Sequence, residues 1–97
     1  MPGAGRVEPW KVEEVRRYLS RHFQGGRVDD YPRGVIAHLF VVTESGLDIK
    51  KRHRHHLLIT RQFFDRVTDP ATLKDALDSA DVSRALSRAG ERSVDLY

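Results

Sequence analysis

The chain has 97 residues, 39% of them apolar and 32% charged, and Lys plus Arg exceed Asp plus Glu by three. That length suits one domain with a modest core, and the mixed sign of the charges fits a folded surface better than disorder. With no cysteine, disulfide frameworks and thiolate metal sites are excluded, and a reducing compartment is consistent.

Residues 1–8 read as a flexible lead-in rich in Gly and Pro, followed by a single domain over 9–97. Residues 1–9 lack the apolar core of a signal peptide, and no run approaches the ~20 apolar residues that span a bilayer. The expectation is a soluble, cytoplasmic protein with no membrane partner. Pro9 suits the first helical position, and Val12, Val15 and Leu19 follow at helical spacing, with Trp10, Tyr18 and Phe23 flanking the stripe. Gly25-Gly26 is a stop, so the first helix is expected over 9–24. Asp29-Asp30 and Tyr31-Pro32-Arg33-Gly34 mark residues 27–34 as a turn-rich connection.

Val35 to Thr43 is short, apolar and β-branched, which predicts a strand, and Ser45-Gly46-Leu47-Asp48 can reverse the chain. The partner strand of this hairpin is expected over 53–63 or 53–64. Asp69-Pro70 predicts a helix start, with Asp as N-cap and Pro at N1. The stripe Leu73, Ala76, Leu77, Ala80 is out of phase with Val82, Ala85, Leu86, Ala89, which predicts a break near 79–81. Gly90 ends the second piece, and Ser93–Tyr97 alternates as a last strand.

The fold class is therefore α+β: a three-stranded sheet in the order α-β-β-α(α)-β, with helices packed on one face. Val35, Ala37, Leu39 and Val41 point to one face of the first strand, and Ile36, His38, Phe40 and Val42 to the other. Helices on one side cannot cover both sets, so the second face must meet another layer, a partner or a second copy of the chain. In element order alone the chain resembles type II K-homology domains and BolA-like proteins. The Gly-x-x-Gly loop with which K-homology domains clamp a nucleic-acid backbone is absent, since residues 79–83 read Ser-Ala-Asp-Val-Ser, and no family is assigned.

The basic charge is local. Residues 1–49 are neutral overall, residues 65–97 carry a net −2, and residues 50–64 hold five cations and no acid. Lys50, Lys51, Arg52, Arg54, His56 and Arg61 are the candidate nucleic-acid-binding residues, since Lys and Arg grip phosphate oxygens. Four such contacts would lower log affinity with log salt at a slope of roughly −3 to −4. On a strand, Arg54, His56 and Leu58 share one face and His53, His55 and Leu57 the other.

His53 and His55 have a spacing that can chelate zinc. Four flanking cations and the lack of any acid over 49–64 argue against a divalent ion, so no metal or cofactor is expected. His38, inside an apolar strand, reads as a hydrogen-bonded core histidine. No acid, base and nucleophile set stands out, and the chain is read as non-enzymatic. The expected function is nucleic-acid binding through a basic β-hairpin. The alternative is a protein-interaction or assembly module, either a homodimer or an adaptor, using the apolar sheet face.

Overall fold

The computed structural model describes residues 7–34, 36–44 and 53–97. Helix α1 (Pro9–His22) leads into strands β1 (Arg27–Arg33), β2 (Ala37–Glu44) and β3 (His53–Thr60). Three helices follow, α2 (Arg61–Asp65), α3 (Pro70–Ser79) and α4 (Val82–Ala89), and strand β4 (Ser93–Leu96) ends the order. The sheet runs β1-β2-β3-β4, with antiparallel pairing up to β3 and β4 parallel to β3. The α+β class stands, but the sheet has four strands rather than three. The additional strand and helix also end the element-order resemblance to K-homology and BolA-like domains.

The missed strand is β1, where the expectation was a turn. Its positions of inward parity are Val28, Asp30 and an exposed Pro32, opposite Val42, Phe40 and His38. Two of those three are poor strand residues by type. Pro32 is tolerated because β1 is an edge strand, where a missing N–H breaks no ladder on its outer side. Asp30 is tolerated because its carboxylate is satisfied: Arg16 Nη1 of α1 donates to Oδ1 at 2.6 Å and His38 Nε2 lies 2.8 Å from Oδ2. Burial raises the Asp30 pKa, but the hydrogen bonds and charges of His38 and Arg16 more than offset it. The carboxyl is held below its ordinary value.

The second correction is the end of β3. The strand stops at Thr60, whose hydroxyl accepts from the Phe63 N–H at 3.3 Å and caps α2. Phe63 and Phe64 are both buried. Adjacent strand residues point to opposite faces, so only a helical turn can send both rings inward.

Elsewhere the expected punctuation holds. Asp69 caps α3 by accepting from the Thr72 N–H at 2.8 Å, and the helix breaks between Ser79 and Val82. At that break Asp81 adopts a left-handed φ of 51° and its side chain makes no cap. Tyr18 of α1 supplies the acceptor instead, its hydroxyl taking the Ser83 N–H at 3.2 Å. Helix α1 stops two residues short of the expected end, at His22, and Gly25 follows at φ +80°.

One core unites the layers. Val28, Phe40, Val42, Leu57 and Ile59 of the sheet pack with Val15, Leu19, Leu73, Leu77, Val82 and Leu86 of the helices. Each fully buried Leu, Ile or Phe contributes about 1.5–3 kcal/mol relative to exposure. Lys11 is also buried, its Nζ donating to the Phe64 carbonyl at 2.7 Å and so tying α1 to α2. His38 is the buried, hydrogen-bonded histidine expected from its strand.

Candidate nucleic-acid interface

The register sorts the strand residues strictly by parity. Alternate residues from Val28 in β1, His38 in β2 and His55 in β3 face the helices. The others form a second face on which no described element packs. It is ruled in cross-strand rows: Arg27, Thr43 and Arg54; Asp29, Val41, His56 and Ser93; Tyr31, Leu39, Leu58 and Asp95; Arg33, Ala37 and Thr60. The first row places Arg27 and Arg54 on either side of Thr43, two strand spacings or about 10 Å apart.

What this face shows to solvent is not mainly aliphatic. Leu39, Val41 and Leu58 are only half-buried, whereas Arg27, Arg33 and Arg54 are exposed and Tyr31 is 51% exposed. The long side chains rim the shorter aliphatic ones. Between them lies a concavity of about 580 Å³, lined by Arg27, Asp29, Tyr31, Val41, Thr43, Arg54 and His56, with Gly25 and Glu44 at its end. A second, of about 330 Å³, is lined by Arg33, Leu39, His56, Leu58, Glu91 and Ser93. His56 borders both, and its Nδ1 is buried with no partner among the described residues.

The charge here is mixed but graded. Arg27 is paired with Asp29 at 3.1 Å, a contact weak in water because the Arg27 side chain is 80% exposed. Asp95 accepts from the Ser93 hydroxyl at 2.7 Å. Among the described residues Arg33 and Arg54 form no ion pair. The Arg27–Arg54 row is the end that holds two arginines, Arg27 being held by Asp29, while Arg33 stands singly at the other end of β1. That row lies beside the β2–β3 connection, whose sequence carries Lys50, Lys51 and Arg52.

Of the six residues named from sequence, the structure brings Arg54 and His56 together on this face, about 7 Å apart along β3. Lys50, Lys51 and Arg52 lie outside the described residues. Arg61 is not part of the group. It opens α2 at the opposite end of β3, roughly 20 Å from Arg54, and lies 3.7 Å from Asp65. Arg27, Tyr31 and Arg33 were missed because residues 27–34 read as a turn. The signal was the polar alternation Arg27-x-Asp29-x-Tyr31-x-Arg33, an open strand face whose inward side carries a single core aliphatic, Val28.

His55 does not join His56. It is buried on the helix side, with Nδ1 3.1 Å from the Leu86 carbonyl and Nε2 2.9 Å from the Glu44 carboxylate. Both ring nitrogens face oxygens that can accept. Its ring lies against Phe23, centroids 5.0 Å apart. This histidine clamps α4 to β3 and is spoken for. Among the described residues no cluster of His, Asp or Glu is arranged to hold a metal ion, and no helix is long and apolar enough to cross a membrane.

Neither a protein-family model, nor a curated protein, nor a solved structure matches this chain.

Proposed function

We propose that the protein is a cytoplasmic, non-enzymatic binding module that takes up a nucleic acid on the open face of its sheet. Arg27, Arg54 and His56 are the residues of the described fold that meet it. Lys50, Lys51 and Arg52, adjacent in sequence to β3, complete the set by sequence and lie outside the described residues. The observation that carries the reading is the make-up of that face: arginines and a tyrosine stand exposed while the aliphatic residues between them are half-buried. Cations beside an aromatic ring suit an anionic, base-bearing chain.

A second reading, assembly through Leu39, Val41 and Leu58, has those three central side chains as its support. Their partial cover makes them a small apolar target, and three arginines would have to be desolvated or paired in a symmetric contact. The two readings separate in one pair of measurements. Binding of a labelled oligonucleotide should weaken steeply with salt, and changing Lys50, Lys51, Arg52 and Arg54 together to Gln should abolish most of it. For every phosphate that the variant no longer neutralises, the log–log salt dependence should flatten by about 0.7–0.9. Unchanged binding by that variant defeats the first reading, and a concentration-independent monomer in sedimentation defeats the homodimer.

A further inference from the structure

We infer that the nucleic acid is single-stranded and that one of its bases stacks on Tyr31; the inference rests on the reading above. Tyr31 sits at the centre of the outward face of β1, 51% exposed, with Leu39 and then Leu58 beside it in its row. Those neighbours give the ring an apolar flank while about half of the residue stays open to solvent, where a base can stack. Four residues along the same strand stands Arg27, about 13 Å away, with Arg54 in its row. One concavity thus joins an aromatic end to one that holds two arginines.

The acids decide between a strand and a duplex. Asp29 lies between Arg27 and Tyr31 on this face, and Asp95 closes the Tyr31 row. A duplex turns closely spaced phosphates toward any surface it lies on and keeps its bases stacked inside, so it would press phosphates against both carboxylates while leaving Tyr31 unused. A single strand can keep its phosphates at the Arg27–Arg54 end and turn an unstacked base onto the ring. Among the described residues no helix stands on this face to enter a major groove.

Fluorescence anisotropy tests this with a short labelled DNA oligonucleotide, presented single-stranded and as its duplex at one salt concentration. The proteins compared are the native chain, Tyr31→Phe, Tyr31→Ala and Arg54→Gln. The single strand should bind more tightly than the duplex. Tyr31→Ala should weaken single-strand binding by about 5- to 100-fold, with little effect on the duplex, and Tyr31→Phe should retain it. Both positions are exposed, so thermal melts of the variants should match the native chain. Equal affinity for strand and duplex, or a silent Tyr31→Ala, overturns the inference. If in that case Arg54→Gln still weakens both ligands, the nucleic-acid reading survives without it. If neither ligand binds the native chain, that reading itself has failed.

Discussion

Replacing Asp30 with Asn changes one oxygen for an amide and removes one charge at the junction of α1, β1 and β2. In the native fold that carboxylate takes Arg16 at 2.6 Å and His38 at 2.8 Å. The asparagine can keep its single oxygen toward the Arg16 guanidinium, and its NH₂ then faces His38 Nε2, which accepts only in the tautomer with its proton on Nδ1. One charge-assisted hydrogen bond is lost and the second is weakened, which together costs about 1.5–3 kcal/mol. Arg16 is 41% exposed and regains some hydration, so the lower half of that range applies. For a chain of 97 residues, about 2 kcal/mol corresponds to a fall in Tm of roughly 10 °C.

The pH dependence separates this cause from a loss of shape. The Asp30 carboxyl is held below its ordinary value of 3.8 in the fold, so its contribution is complete above that unfolded value. That contribution disappears as pH falls through the lower folded value. Chemical denaturation of the native chain and Asp30→Asn should show a gap at about pH 5, above the ordinary carboxylate range. The gap should close in stronger acid. A melting temperature within a degree or two of native, or a gap that stays constant into acid, would refute the reasoning.

Three further outcomes follow from the same geometry. Leu57 is fully buried and Leu58 half-buried on the other face, so Leu57→Ala should cost about 2–5 kcal/mol and Leu58→Ala about 1 or less; urea titration of the two reads the register of β3 directly, and the reverse order would mean a slip by one residue. Tyr18→Phe removes the acceptor of the Ser83 N–H and should destabilise by about 0.5–1.5 kcal/mol, with faster amide exchange at Ser83; unchanged exchange would discount the cap. His55→Leu leaves the Leu86 carbonyl without its donor and should cost about 1–3 kcal/mol, while oligonucleotide affinity stays native because the ring lies on the helix side.

Where apolar spacing was regular, the fold was legible. Val12, Val15 and Leu19 mark α1, the phase slip after Ala80 marks the break between α3 and α4, and the 35–43 run marks β2. The failures share a physical cause. Strand β1 turns Asp30 toward the helices and carries an exposed Pro32 in register with His38, and a carboxylate becomes an acceptable inward residue only when Arg16 and His38 arrive from other elements. Local pattern cannot contain that. Phe63-Phe64 looked like a strand end because two aromatic neighbours favour β structure, yet burying both requires a helical turn. The same blindness to β1 hid Arg27, Asp29 and Tyr31 of the concavity's lining, and counted Arg61 with a group from which it is separated by the length of a strand.

The most direct test of the open face as the binding surface is an amide chemical-shift map of the native chain titrated with a single-stranded oligonucleotide at low salt. Perturbations should concentrate on β1, β2 and β3, strongest at Arg27, Tyr31, Arg54 and His56, with α1 and α4 unmoved. Perturbations centred on the exposed arginines of α1, or none at any concentration, would contradict it.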